Sequence, residues 1–210
     1  LSKFVSEVVA LDGCLDRIRF LQICKDQDRL GNISLVCNGK AHELPFPDGC
    51  FDLVVLNMVF PYLAATLPDR SASEAEKVIL REITRTLKPG GALYLSIRNK
   101  YSFHWMKSKA FPFGREPGPD NFHAQGFGYY ADLLAGAGLD VKKCVWPLPN
   151  YKYPERFVPL TGNGKEIEEE IDGIREFSPA KRTSVKMLRP RNALNFMAET
   201  ISFVARKKWR

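Results

Sequence analysis

Gly39-Lys-Ala-His-Glu-Leu-Pro-Phe-Pro-Asp-Gly-Cys-Phe-Asp-Leu-Val-Val-Leu-Asn-Met-Val59 sets a polar turn directly against a strand suited to the interior of a sheet. Leu53 to Leu56 is a short, continuous apolar run between a Pro/Asp/Gly turn and an asparagine, which reads as a central parallel strand covered on both faces. In a doubly wound sheet, ligands gather at the carboxyl ends of the strands. Asn57, Met58 and the turn near Ala41 to Leu44 are therefore expected at a binding crevice.

Upstream, Phe4 to Leu11 is apolar and rich in valine and runs into Asp12-Gly13, the pattern of a second parallel strand ending in a turn. A carboxylate at such a strand tip can accept the two ribose hydroxyls of a bound cofactor, or cap the helix that starts near Cys14, or do both. Leu15, Ile18 and Leu21 recur at helical spacing through Gln27, Gly31-Asn32 stops the helix, and Ile33 to Cys37 is the next strand. Strand, acid, helix, turn and strand in this order form a βαβ series.

Downstream of Tyr62 the chain reads as a loop as far as Ser73, which with Glu76 makes a capping box. In the helix that follows, Val78, Ile79, Ile83 and Leu87 face the sheet, while Glu74, Glu76, Lys77, Arg81, Glu82 and Arg85 solvate the other side. Lys88-Pro-Gly-Gly91 ends that helix, and Ala92 to Ile97 is a further strand. Residues 99–126 form an insertion with Phe103, His104, Trp105, Phe111, Phe113 and Phe122, which can close over a site as a lid or pack its own aromatics. Phe127 to Ala137 reads as a helix and Leu139 to Trp146 as an edge strand. Pro147 to Pro154 leaves the core in extended form. Asn192 to Arg206 carries Leu194, Met197, Ile201 and Val204 at helical spacing, giving a basic C-terminal helix that docks on the core, covers a partner or lies on an anionic surface.

Two stretches carry a resemblance. Leu44-Pro-Phe-Pro-Asp-Gly-Cys-Phe-Asp-Leu-Val-Val55 is similar to the fourth-strand region of class I S-adenosylmethionine-dependent methyltransferases of the type 11 kind, and Leu80-Arg-Glu-Ile-Thr-Arg-Thr-Leu-Lys-Pro-Gly-Gly-Ala-Leu-Tyr-Leu95 resembles the helix, turn and fifth strand that follow in that family. The resemblance implies a Rossmann-like, doubly wound, mostly parallel α/β sheet and S-adenosylmethionine as cofactor. It implies cofactor contacts from Asp12, Gly13, Ala41, His42, Asn57 and Met58. Acceptor contacts are expected from Asn99, Tyr101 and Trp105, and His104 or His123 is the candidate base for a hydroxyl acceptor. Two departures stand out. The family's glycine-rich loop precedes its acidic strand end, and no Gly-x-Gly precedes Asp12, so the first strand is expected to be missing and the chain to be N-terminally incomplete. Relatives also carry Gly-Asp-Ala where this chain has Gly39-Lys40-Ala41, and a lysine cannot accept a hydrogen bond from the adenine amino group.

Composition narrows the remaining classes. At 210 residues and 45% hydrophobic, the chain is long and apolar enough for a core domain at 1–148 and an appendage at 149–210. No apolar run is long enough to span a bilayer and the start lacks a signal-peptide pattern, so a cytoplasmic protein is expected. Five cysteines (Cys14, Cys24, Cys37, Cys50, Cys144) include no C-x-x-C pair, which suggests reduced thiols and neither a metal site nor a disulfide framework. The net charge of +7 comes largely from Lys181, Arg182, Lys186, Arg189, Arg191, Arg206, Lys207, Lys208 and Arg210, a local basic tail and not a nucleic-acid groove. The expected function is methyl transfer to a small-molecule or saccharide-like acceptor. The competing class is a cofactor-deficient Rossmann-like binding or regulatory module, and a nicotinamide oxidoreductase ranks third.

Overall fold

A computed structural model describes residues 2–100, 102, 125–148, 151–160 and 198–209. It divides into two compact units, Leu1–Phe46 and Pro47–Arg210.

The first unit is a single βαβ crossover. β1 (Val8–Asp12) pairs in parallel with β2 (Ile33–Cys37), in register from Val8 opposite Ile33 to Asp12 opposite Cys37. The helix between them, α1 (Leu15–Gln27), has no buried residue, and Leu15, Phe20, Leu21 and Ile23 are exposed. Its end is a Schellman turn. Leu30 N bonds Lys25 O at 3.0 Å and Arg29 N bonds Asp26 O at 3.2 Å, with Arg29 in the left-handed region at φ 54°.

The second unit holds the core. Its five-stranded sheet has the order β3 (Phe51–Asn57), β4 (Leu87–Arg98), β7 (Thr200–Lys207), β5 (Leu139–Leu148) and β6 (Arg156–Pro159). β3 and β4 are parallel; β7 runs antiparallel to both β4 and β5, and β6 antiparallel to β5. Leu93, Leu95 and Ile97 of β4 and Ile201, Phe203 and Ala205 of β7 are fully buried on one face. Burying each large side chain contributes roughly 1.5–3 kcal/mol. Three helices line that face: α2 (Phe60–Ala64), α3 (Ala72–Thr86) and α4 (Phe127–Gly136). Phe127 stacks on Phe203 with ring centroids 5.5 Å apart, and Tyr130 meets Phe60 edge-on at 6.5 Å, so the helices form one layer.

Several expectations are corrected. The run Leu53 to Leu56 is a parallel strand, but β3 lies at the edge of its sheet and Leu53 and Val55 remain 43% and 39% exposed, so it is not covered on both faces. The capping box is Ser71 with Glu74, two residues earlier than Ser73 with Glu76: Glu74 N bonds Ser71 Oγ at 3.3 Å and Ser71 N bonds Glu74 Oε2 at 3.2 Å. Those bonds also hold the Glu74 carboxyl below its usual range. Glu76, expected to face solvent, is fully buried and accepts Tyr129 Oη at 2.6 Å. The short helix α2 reaches into the start of the loop expected after Tyr62, and its second residue is Pro61, where the missing amide is not needed. Residues 200–207 form a strand, not the end of a basic helix. Ile201, Phe203 and Ala205 alternate into the core, and this period of two, with Thr200, Ile201, Phe203 and Val204 favouring extended backbone, outweighs the helical spacing of Ile201 and Val204. The C-terminal stretch therefore lies inside the sheet instead of forming an appendage. Residues 192–197 lie outside the described residues.

Candidate functional site

In the first unit the expected cofactor residues gather where β1 and β2 end. Asp12 Oδ1 accepts the Cys14 amide at 2.8 Å, so the carboxylate caps the entry to α1, while Arg17 Nη1 stands 3.5 Å from Oδ2. Asn38 N bonds Asp12 O at 3.1 Å and carries the β1–β2 ladder one residue past Cys37. Gly13 then lies against the second loop so closely that an added Cβ would stand 3.2 Å from Gly39 Cα. This close approach is the local reason for glycine at position 13.

The turn from Asn38 to Glu43 is self-supported. Asn38 Oδ1 accepts Lys40 N at 3.0 Å, and Asn38 Nδ2 donates to Glu43 O at 2.9 Å. Lys40 Nζ is drawn to Glu43 Oε2 at 3.0 Å. Ala41 is buried, and His42 presents a buried Nδ1 with no hydrogen-bond partner among the described residues. A buried ring nitrogen without a partner costs free energy unless a bound group satisfies it.

In the second unit, Asn57 ends β3 opposite Ser96 of β4. Its Nδ2 donates to Tyr151 O at 3.2 Å, which ties the stretch between β5 and β6 to the carboxyl end of β3. Sequence reasoning missed Tyr151, because a backbone carbonyl leaves no signal in residue type. Met58 is buried and sits at φ 61°, with its amide bonded to Ser96 O at 2.9 Å. A left-handed methionine stores strain of about 1–2 kcal/mol, and strain of this kind clusters at functional positions. Asn99 is buried and spends Nδ2 on Ala198 O at 2.9 Å and its amide on Glu199 O at 3.0 Å, bonds that anchor the start of β7. Tyr101, His104, Trp105 and His123 lie outside the described residues. Among the described residues no group of His, Cys, Asp and Glu is placed to hold a metal ion. No helix among them is long and apolar enough to cross a membrane.

Residues 1–95 match a family model described as a methyltransferase domain, a span that includes Asp12 and both motif blocks. No curated protein matches the chain. Among solved structures it is similar to a SAM-dependent methyltransferase from Methanosarcina mazei, at 16% identity and a TM-score of 0.61 over 100% of this chain and 85% of that one. It is also similar to a putative methyltransferase from Bacillus halodurans, at 16% identity and a TM-score of 0.56 over 99% and 85% of the two chains. The [4+2]-cyclase SpnF aligns at 17% identity and a TM-score of 0.56, over 97% of this chain and 67% of its own. These likenesses establish the α/β methyltransferase fold. The family match, over residues 1–95, agrees with that fold.

The first unit offers one feature that fits the cofactor the resemblance implies, the buried His42 Nδ1 without a partner among the described residues. Lys40 does not fit the acid that relatives place beside the adenine.

Proposed function

We propose that this chain, an α/β protein of class I methyltransferase fold, transfers a methyl group from S-adenosylmethionine to a small-molecule or saccharide-like acceptor. The observation that carries the reading is Asp12, a carboxylate at the carboxyl end of β1 whose Oδ1 is used locally and whose Oδ2, among the described residues, makes a long contact to Arg17. S-adenosylmethionine supplies an electrophilic methyl carbon on a sulfonium sulfur. In-line displacement then requires chiefly that the protein hold donor and acceptor in line and exclude water. Asp12 accepts the ribose hydroxyls, Gly13 admits close backbone approach, and Ala41 and His42 flank the base in place of the acid that Lys40 replaces. The resemblance also assigns cofactor contacts to Asn57 and Met58. The resemblance leaves Tyr101 and Trp105 as acceptor contacts, Asn99 being spent on Ala198 and Glu199, and His104 or His123 takes the proton when the acceptor is a hydroxyl.

The test is transfer of a labelled methyl group from S-adenosylmethionine to a panel of hydroxylated small molecules and saccharides, with Asp12→Asn in parallel. Label in an acceptor that falls at least tenfold in the variant supports the reading. Transfer unaffected by the substitution contradicts Asp12's role.

One observation favours a second reading. Lys40 stands where an acid is expected and pairs with Glu43, which suits a Rossmann-like module that has lost selective adenine recognition. That reading predicts no uptake of S-adenosylmethionine and no transfer to any acceptor.

A further inference from the structure

The turn that follows β2 spends its polar side chains on itself, with one exception. Asn38 Oδ1 accepts Lys40 N at 3.0 Å, and Asn38 Nδ2 donates to Lys40 O at 3.3 Å and to Glu43 O at 2.9 Å. Lys40 Nζ and Glu43 Oε2 form an ion pair at 3.0 Å. The exception is His42, whose Nδ1 is buried and has no hydrogen-bond partner among the described residues. Buried polar atoms in folded proteins are nearly always paired, so this nitrogen calls for a partner that binding supplies.

The chemistry of the ring narrows that partner. A neutral imidazole carries one N–H and one bare nitrogen, and the bare nitrogen accepts. Lys40 cannot accept, and the Glu43 carboxylate is engaged by that lysine, so His42 is the acceptor this turn keeps for a ligand that donates. The side chain as a whole is half-buried. A half-turn about its Cβ–Cγ bond, which exchanges Nδ1 with Cδ2 inside the same outline, breaks no Nδ1 hydrogen bond among the described residues. The turn starts where β2 ends, with Asn38 N bonded to Asp12 O at 3.1 Å, so it stands at the carboxyl ends of two parallel strands, where α/β sheets gather their ligands.

We propose that a bare ring nitrogen of His42 accepts the exocyclic amino group of the cofactor's adenine, in place of the acid that Lys40 displaces. The inference rests on the reading of this chain as a binder of S-adenosylmethionine. The acceptor has then moved two residues along the turn, from position 40 to position 42, and recognition of the base is kept. A site built to pair a donor rejects an analogue that lacks it, because its own polar group is left unpaired.

The probes are S-adenosylhomocysteine and its analogue with hydrogen in place of the adenine amino group, titrated calorimetrically into the full chain. The amino form is expected to bind at least fivefold more tightly. His42→Phe keeps a ring and removes both nitrogens, and should bring the two ligands to equal affinity. His42→Asn, whose side-chain oxygen can stand where Nδ1 does, should keep the preference. In protein labelled with 15N-histidine, the bare nitrogen of His42 should shift with S-adenosylhomocysteine and stay near its free position with the analogue, a readout on the unaltered chain that decides the matter even where a variant fails to fold. Equal affinity of the unaltered chain for the two ligands would overturn the proposal and leave the cofactor reading standing. So would a preference that survives His42→Phe, or one lost in Glu43→Gln alone. Binding of neither ligand by the unaltered chain would overturn both the proposal and the reading beneath it.

Discussion

Asp12 Oδ1 holds the Cys14 amide while Oδ2 stands 3.5 Å from Arg17 Nη1, so substitution can separate the folding role of this side chain from the recognition role proposed for it. Asparagine caps helices as well as aspartate does but lacks the charge that strengthens hydrogen bonds to ribose hydroxyls. Asp12→Asn should leave the thermal midpoint nearly unchanged and weaken S-adenosylmethionine binding. A charge-assisted bond contributes roughly 1.5–3 kcal/mol, which corresponds to about tenfold to a hundredfold in affinity. Deep in the second unit the chemistry is different. Burial and the hydrogen bond to Glu76 push the Tyr129 hydroxyl up to about 12, burial pushes the Cys144 thiol up to about 12, and burial raises Tyr130 further. All three are neutral acids that an unfolded chain ionises earlier, so the folded state keeps protons that the unfolded state loses. Their contribution is complete below about pH 8.5, where an unfolded thiol begins to ionise, and is lost as pH rises toward 12. Urea unfolding followed across this range should show stability falling, and Cys144→Ala should remove the earliest part of the fall. The acid at position 12 was legible because a strand end dictates its exposure. Glu76 was not, because residue type and helical spacing favour solvent and only tertiary contact with Tyr129 buries it.

At the scale of the element, α1 was read to the residue from Leu15, Ile18 and Leu21, yet its stop is unusual. Arg29 occupies the left-handed position of a Schellman turn that glycine fills at no steric cost. Arg29→Gly should therefore stabilise the protein by about 1 kcal/mol, measured as an upward shift of the urea midpoint. Ser71→Ala should do the opposite by a similar amount, about 1 kcal/mol, because it removes the acceptor for the Glu74 amide. Ser73→Ala, the capping substitution the sequence spacing favours, should leave that cap intact. β7 marks the limit of pattern reading. Ile201 and Val204 fit a helical stripe and Ile201, Phe203 and Ala205 fit a strand equally well, and the partners that decide between them are β4 and β5, far away in sequence. Strand existence here is a tertiary fact.

Across the whole molecule, the βαβ order, the parallel pairing of β3 with β4 and the motif blocks were all legible, since local apolar runs and turn residues specify them. The extent of burial was not. Leu53 to Leu56 has the composition of an interior strand and nevertheless lies at a sheet edge, a property of the neighbours and not of the run itself. Burial is also uneven: among the described residues, every buried apolar side chain apart from Ala41 belongs to the second unit. Local opening follows buried contact, so amides of β1 and β2 should exchange with solvent well before those of β4 and β7. Hydrogen exchange read by mass spectrometry checks this, and equal protection of the two units would contradict it.

The most direct measurement is calorimetric titration of S-adenosylmethionine into the unaltered chain and into Asp12→Asn, with thermal midpoints recorded on both. The account predicts binding by the unaltered chain and at least tenfold weaker binding by the variant at a matched midpoint. Absence of binding by the unaltered chain, or equal affinity in the two, would contradict it.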